Sequence, residues 1–252
     1  MAPNDQARKN HDELFPGHVS TLAVTDPELI EYFDNFAFDE VLRHGTLDTR
    51  TRLMVQLAAL IAVHGLGEYR VMVGAALTVG VTPVAVKEIV YQAVPYVGMG
   101  RVFDFLHATN EVLTARGVDL PLPGQSTTTP QTRAAKGLAV QQAIVGADRV
   151  AAMVAAAPAD ELHLQRYLAA NCFGDHYTRT GLDLPTRELL TFTMLIAMGG
   201  CEPQAKGHVA ANLNVGNDRQ TLLSVVTQLL PFIGYPRTLN AVRLIDEVIP
   251  AG

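Results

Sequence analysis

The chain contains no tryptophan, and only 6% of its 252 residues are aromatic. Small and medium aliphatic residues take their place: 48% of the residues are hydrophobic and 17% are charged, which is ample for a packed core. Such residues suit closely packed helices better than a β-sandwich, and the sequence shows no convincing pair of strands. The composition therefore predicts an all-α protein.

Long apolar runs are also missing. No window approaches about 18 uninterrupted apolar residues, so no transmembrane helix is predicted. The first residues, MAPNDQARKNHDELFPGH, lack the apolar segment of a signal peptide, and the polar chain up to about Ser20 is expected to be partly mobile. The two cysteines, Cys172 and Cys201, are expected to be free thiols in a reducing cytoplasm.

Positive charge is scarce as well. The net charge of −6 and a pI near 5.7 argue against nucleic acid or an anionic membrane as a partner. No His-x-x-x-His or Cys-x-x-Cys pair suggests zinc, and no phosphate loop or dinucleotide fingerprint is visible. We therefore predict no metal and no cofactor, and we expect a small molecule as the partner.

One stretch, Pro121 to Pro130, reads as a linker because Pro, Gly, Ser and Thr fill it without apolar periodicity. It divides the chain into a first unit (1–120), a linker (121–131) and a second unit (132–252). Capping residues, prolines and glycines mark the helix ends. The predicted helices span about 27–43, 49–63, 68–78, 83–93, 99–116, 132–145, 147–156, 161–177 and the segment from 184 onward.

The two halves repeat each other at a constant spacing of 136 residues, as in Gly80 and Gly216. Identities at one ungapped spacing over more than fifty residues indicate a tandem duplication of one helical unit, with the break near Gly124. Further matching pairs are Gln92 and Gln228, Pro95 and Pro231, Gly98 and Gly234, and Arg101 and Arg237.

The stretch from Gly199 to Val209 gathers the residues with the most chemical potential. If the chain is helical from Glu202, then Gln204 and His208 lie four residues apart on one face. Cys201 then lies at the start of the helix, where the macrodipole favours a thiolate. A thiol, an amide and an imidazole are therefore predicted to meet at one helix start.

The spacing Cys201-x-x-Gln204-x-x-x-His208-Val209 resembles the carboxymuconolactone decarboxylase and alkylhydroperoxidase D superfamily. The redox branch of that family carries Cys-x-x-Cys-x-x-x-His, and the decarboxylase branch carries Glu-Leu-x-x-His-Val at the same place. The position matches the family, while the second cysteine and the glutamate are both replaced by Gln204.

The longer family pattern can be followed twice, over roughly residues 30–115 and 160–248. In the first half it reads Arg43-His-Gly45-Thr-Leu47-Asp48, Glu68-Tyr69, Ala75, Gly80, Gln92, Tyr96 and Gly98. In the second half it reads Arg179-Thr-Gly181-Leu182-Asp183, His208-Val209, Ala211, Gly216, Gln228, Phe232, Gly234 and Pro236. The resemblance implies two fused helical units packed as a pseudo-dimer, which associate further as a homo-oligomer, most simply a trimer that imitates a hexamer.

The candidate catalytic residues are His208, Cys201, Gln204 and Glu68. His208 could protonate an enolate or deprotonate a thiol. The repeat aligns Glu68 with Gln204 and Met72 with His208, so that the first unit keeps the family's glutamate and the second its histidine. Two readings stay open: the first unit is only a structural partner, or Glu68 completes a composite site with His208.

Arg179 and Glu188 are the candidate substrate-binding residues. An arginine at the family position of Arg179 could hold a carboxylate, although a surface pair is an equal alternative. Glu188 lies thirteen residues before Cys201, against twelve for the redox-branch glutamate, and one residue rotates a helical side chain by about 100°. Cys172 is the other cysteine that could pair with Cys201 if their Cα atoms lay within about 7 Å.

Three functions follow from the resemblance. The first is a cofactor-free, decarboxylase-like enzyme that acts by acid–base chemistry on a small carboxylated lactone or enolisable acid. In it Arg179 holds the carboxylate, His208 protonates the dienolate, and Gln204 donates a hydrogen bond to the developing oxyanion. The second is an alkylhydroperoxidase-like thiol peroxidase or redox sensor that uses Cys201. The third is a non-catalytic protein that binds small acids or serves as a scaffold.

Overall fold

The computed structural model describes residues 3–18 and 20–250, and every regular element within them is a helix. The first unit comprises α1 (Asp5–Leu14), α2 (Leu22–Thr25), α3 (Pro27–Asn35), a π-helical segment (Phe36–Glu40), a 3₁₀ turn (Val41–His44), α4 (Thr49–Ala62), α5 (Leu66–Thr78), α6 (Pro83–Val97) and α7 (Met99–Ala115). The second comprises α8 (Arg133–Val145), α9 (Ala147–Ala156), α10 (Leu162–Tyr167), a π-helix (Leu168–Tyr177), α11 (Leu184–Met198), α12 (Glu202–Asn214) and α13 (Arg219–Val248).

Short polar side chains start the helices that build the centre. Asp48 accepts hydrogen bonds from the first amides of α4, and Asp183 accepts one from Thr186 at the start of α11. Gly98 ends α6 at a φ of +82°, and Gly234 bends α13 at a φ of +75°, so that α13 is two helices joined at a kink. The positive φ explains why the repeat carries glycine at both positions.

The sequence repeat is also a structural repeat. The spacing of 136 residues carries α5 onto α12, α4 onto all but the first residue of α11, and the first π-helical segment onto part of the second. Gly234 corresponds to Gly98, so the two parts of α13 correspond to α6 and α7. The duplication of one helical unit is therefore confirmed.

The two units share one hydrophobic core. α4 and α11 lie at its centre and are buried along most of their length, and they pack against each other and against α6 and α13. Leu57 of the first unit and Phe192 of the second are fully buried in this common core. A smaller cluster that includes Ile144 and Phe173 joins α8 to the π-helix. The predicted pseudo-dimer of two fused helical units is confirmed.

The N-terminal segment differs from its prediction. The chain up to about Ser20 was expected to be partly mobile, but Asp5–Leu14 is a helix that Asn4 caps by accepting from Ala7 N. Ala7 and Leu14 are seven residues apart, lie on one face and are buried against the first unit. The prediction failed because this apolar face is narrow among polar residues. Residues 1, 2 and 19 lie outside the described part of the chain.

Other boundaries shift slightly. α5 begins two residues earlier than predicted. α6 continues to Val97, so that Pro95 lies within its last turn and not beyond its end. The predicted linker contains no helix, and it runs along the second unit: Gln125 O accepts from Thr180 N at 3.0 Å, and Thr127 Oγ1 donates to Thr178 O at 2.7 Å.

Among the described residues, no single helix combines the length and the hydropathy needed to cross a membrane. Only α8 and α9 together have sufficient length and hydropathy, and they are bent by 112° at the break between them.

Gly137 of α8 allows the close approach of that helix to the π-helix. A Cβ added there would lie 1.9 Å from Ala169 O and 2.5 Å from Gly174 N, so backbone would have to move. We expect Gly137→Ala to destabilise the protein by about 3 kcal/mol, measured as the urea dependence of helical circular dichroism. Gly100→Ala is the matched control, because nothing lies within 4 Å of the added atom. Equal stability of the two variants would contradict this packing.

Candidate active site

His208 and Glu188 come from two different helices and meet beneath the second unit's surface. Nδ1 of His208 lies 2.7 Å from Oε2 of Glu188, whose side chain has 0% exposure. α11 ends at Met198, and Gly199 and Gly200, with φ of +69° and +72°, turn the chain so that α12 lies beside α11. The glutamate thereby orients the imidazole ring.

The comparison of the Glu188–Cys201 spacing with that of the redox branch fails because the chain turns between the two helices. A rotation of about 100° per residue holds only within one continuous helix. The chain from Glu188 to Cys201 leaves the helix at Met198, so the rotation of a continuous helix does not apply over the whole interval. Glu188 contacts His208, not Cys201, and its full burial leaves it no surface for a substrate.

Two tyrosines form a series of hydrogen bonds that connects Glu188 to the first unit. Tyr177 of the π-helix donates to Glu188 Oε1 at 2.5 Å, and Tyr96 of α6 donates to the Tyr177 hydroxyl at 3.1 Å. The Tyr96 ring also meets the His208 ring edge to face, with centroids 5.7 Å apart. Tyr96 belongs to the first unit, so this site contains residues from both halves of the chain.

The donors of this network all point toward Glu188. The thiol of Cys172 donates to Tyr96, Tyr96 to Tyr177, and Tyr177 to the carboxylate. Burial is the main cause that raises the pKa of both tyrosines well above 10, and the nearby Glu188 charge adds to it. Burial likewise raises the pKa of Cys172 to about 12. These three groups therefore stay protonated at neutral pH and act as hydrogen-bond donors in a series that ends at Glu188.

A second series of contacts links the Tyr177 hydroxyl to a buried ion pair between the units. Thr191 lies 2.7 Å from the Tyr177 hydroxyl and accepts from Gln92 Nε2 at 3.2 Å. Arg187 donates to Gln92 Oε1 and to Glu88 Oε2, each at 2.9 Å. Arg187 and Glu88 have 0% and 1% exposure, so the charge of Arg187 depends on Glu88 for its compensation, and Glu88 also pairs with Arg179.

A cavity of about 510 Å³ opens beside His208. Its walls are mainly apolar, with four groups that could bind a polar ligand: Arg149, Gln141, Gln204 and His208. Among the described side chains, none forms an ion pair or hydrogen bond with Arg149, so its charge is available to a ligand. The remaining lining residues are Pro95, Tyr96, Val145, Met153, Leu168, Phe173, Leu195, Met198, Cys201, Pro203, Gly207 and Ala211.

Cys201 and Gln204 both line this cavity, at the start of α12. The Cys201 thiol donates to Leu195 O at 3.2 Å, and it is partly buried. Burial raises the pKa of Cys201, and the negative charge of Glu202 raises it further. These effects oppose the thiolate that a helix start would favour. Cys201 and Cys172 are both free thiols in the structure.

Arg179 and Glu68 line other cavities. Arg179 holds Glu88 with both Nε and Nη2, at 2.8–3.1 Å, and it faces a cavity beside the linker. Glu68 lines a cavity of about 490 Å³ in the first unit, where burial and the charge of Asp34 raise its pKa. Neither residue lines the cavity of His208.

The first unit's cavity is the structural counterpart of the second's but carries different chemistry. Gly67, Glu68 and Val71 line it at the positions of Pro203, Gln204 and Gly207. The positions of His208 and Glu188 are taken here by buried Met72 and by Arg52. Arg52 Nε is buried without a hydrogen-bond partner among the described residues, and burial lowers the pKa of this arginine. Among the described residues, the first unit thus has no counterpart of the pair that His208 and Glu188 form.

Metal ligation finds no support in the described residues, since no group of three His, Cys, Asp or Glu side chains could hold an ion. The site is built from an imidazole, a carboxylate, hydroxyls, an amide and an arginine. These groups can move a proton and bind an anion without a cofactor.

Sequence reasoning missed Tyr96, Gln141 and Arg149 as site residues. A signal existed for Tyr96: Glu88, Gln92 and Tyr96 recur every fourth residue along α6, which is otherwise largely apolar, and such a polar face must meet polar partners. No comparable pattern marks Arg149. It is an exposed residue of α9, and it lines the cavity only because of how that helix packs.

An all-α protein of two fused helical units, with a buried His–Glu pair beside a cavity, is the class that the fold and the site define. The chain belongs to the carboxymuconolactone decarboxylase family, whose sequence model matches residues 27–111 and again residues 163–247. The two matches coincide with the two units. Among curated proteins, none matches the chain.

The pKa of Cys201 can be tested directly. We expect a thiol titration to give a value above the ordinary cysteine pKa of about 8.5, with slow reaction at neutral pH, because burial and Glu202 disfavour the thiolate. Glu202→Gln removes one of the two causes and should lower the value. Cys172→Ser is the background for the measurement, and a depressed pKa for Cys201 would contradict the structure.

Proposed function

We propose that the protein is a cofactor-free enzyme that acts by acid–base catalysis on a small carboxylated lactone or a related enolisable acid. The observation that carries the proposal is the 2.7 Å contact between His208 and the fully buried Glu188 at the wall of a cavity. Orientation of a histidine by a buried carboxylate is the arrangement that general acid–base catalysis uses.

The hydrogen bonds define which nitrogen acts. A carboxylate only accepts, and Tyr177 already donates to its other oxygen, so Nδ1 of His208 carries a proton and donates it to Glu188. Nε2 is then the nitrogen that gives a proton to the substrate or takes one from it.

The proposed reaction uses Arg149 where the sequence suggested Arg179. The substrate in this scheme carries two carboxylates, one that departs and one that remains. Arg149 lines the cavity of His208 and has no ionic partner among the described residues, so it binds the carboxylate that remains. The bond to the departing carboxylate breaks, carbon dioxide leaves, and the electron pair passes into a dienolate. Gln204 donates a hydrogen bond to the enolate oxygen, and His208 protonates the carbon.

The thiol peroxidase alternative depends on Cys201. Its elevated pKa and its hydrogen bond to Leu195 O count against an activated thiolate at neutral pH. Cys172 is committed to Tyr96 in the interior, which counts against a ready resolving thiol. A non-catalytic protein would not need a buried carboxylate behind the cavity histidine. The acid–base proposal therefore ranks first.

Substitution of His208 tests the proposal. On a substrate found by a screen of lactone and keto acids, we expect His208→Gln to lower kcat by at least 100-fold, the usual contribution of a general acid or base. Glu188→Gln should keep part of the activity and change its pH profile, because the ring loses its orienting charge. His163→Gln, on the exposed surface of α10, is the control. Full turnover by His208→Gln would refute the assignment.

We further propose that the chain forms a homo-oligomer, with a trimer in place of a hexamer of single units. The support is a pair of exposed apolar stripes at equivalent positions of the repeat: Met99 and Phe103 on α7, and Tyr235 and Leu239 on α13. These four side chains are 47–63% exposed. Apolar pairs that recur at corresponding positions are typical of surfaces that meet other copies.

Charge on these stripes should dissociate the assembly. We expect Phe103→Glu combined with Leu239→Glu to shift the mass in light scattering from trimer to monomer. Val24→Glu is the control, because Val24 is 83% exposed and its counterpart in the second unit is Asp160. A wild-type chain that is monomeric at high concentration would contradict the proposal.

A further inference from the structure

A second cavity, of about 330 Å³, lies between α6, the linker and Arg179. It shares no lining residue with the cavity of His208. We propose that it is a binding site for a small organic carboxylate, separate from the catalytic site and independent of the proposed reaction. Its volume is at the lower end of the range for small-molecule sites.

Positive charge exceeds negative charge in this cavity. Glu88 is the single acidic side chain among the residues that line it, and it is fully occupied by two guanidinium groups, those of Arg179 and Arg187. Lys87 adds a third cation, and its ammonium group donates only to the neutral amide oxygen of Asn110 among the described side chains. Among the residues that line the cavity, Lys87 and Arg179 are cationic and Glu88 alone is anionic, so an anionic ligand would compensate the remaining positive charge.

The two cations that line the cavity lie close to the same tyrosine. Lys87 Nζ lies 5.8 Å and the Arg179 guanidinium carbon 4.9 Å from the centre of the Tyr91 ring, which also lines the cavity. Contact with this ring limits the rotamer freedom of both side chains, which a bound ligand would otherwise have to remove. A carboxylate in the cavity beside Tyr91 therefore meets two positive charges.

The apolar wall of the cavity comes mainly from the linker region. It consists of Val84 of α6 together with Leu120, Pro121, Leu122 and Pro123. An inorganic anion would leave this wall uncovered, whereas the hydrocarbon part of an organic acid would bury it. A charged end beside an apolar wall is the usual form of a small-molecule site, and it indicates a carboxylate with an aromatic or short aliphatic body.

The wall is fixed before any ligand arrives. Gln125, which also lines the cavity, accepts from Thr180 N at 3.0 Å through its backbone oxygen, and its side chain donates to Pro123 O at 2.9 Å. The linker is thus attached to the residue that follows Arg179. Binding would cost little ordering of the chain, because both sides of the cavity are already positioned.

Calorimetric titration with benzoate tests the proposal, with benzylamine and inorganic phosphate as comparison probes. We expect saturable binding of benzoate, no binding of benzylamine because its charge is reversed, and weaker binding of phosphate because it has no apolar body. Benzylamine binding as tightly as benzoate would overturn the proposal, and so would phosphate binding more tightly than benzoate.

Two variants separate this cavity from that of His208. Lys87→Met keeps the length of the side chain and should weaken benzoate at this site by more than tenfold, while Lys87→Arg should retain binding. Arg149→Met should remove only binding at the catalytic cavity, and His208→Gln should leave this site intact. Lys9→Met, on the exposed face of α1, is the matched control. Unchanged affinity in Lys87→Met, with an unchanged melting temperature, would overturn the proposal even if the catalytic assignment holds.

Discussion

The ion pair between Glu88 and Arg187 is the interaction on which the rest of the site depends. Both charges are removed from water at the boundary of the two units, so α6 and α11 can pack only where the charges meet. Gln92 and Tyr96 lie one and two turns beyond Glu88 on the same face of α6. Because the pair fixes the register of α6 against α11, Gln92 meets Thr191 and Tyr96 meets Tyr177.

Glu188 lies at the end of this hydrogen-bond network, and its two oxygens have different partners. The Tyr177 hydroxyl donates to one oxygen of this completely buried side chain, and the other oxygen lies 2.7 Å from His208 Nδ1. Cys201 lines the same cavity, and its thiol donates to a backbone carbonyl. Burial and the neighbouring charge of Glu202 raise the pKa of this thiol and so disfavour the thiolate. The same helix start therefore presents an oriented imidazole and an unactivated thiol, and this difference makes proton transfer the better-supported chemistry.

Sequence patterns were sufficient for most of the fold, because helix caps, glycines and the repeat are local signals. They marked the linker, the two units and the position of His208. They failed for α1, whose buried face consists of little more than Ala7 and Leu14. They also failed wherever a contact joins distant segments: Glu188 with His208 depends on a turn between helices, and Arg149 enters the cavity through the docking of α9. No spacing in the chain encodes such contacts.

Fusion of the two units has an evolutionary consequence. In a dimer of identical chains, every mutation appears in both sites at once, so a change that ruins one ruins the other. Here the position that holds Glu188 in one unit holds Arg52 in the other, a reversal of charge that a symmetric dimer could not tolerate while it kept a His–Glu pair. Covalent linkage has released the first unit from selection for the chemistry of the second, and its cavity is free to diverge toward a different ligand.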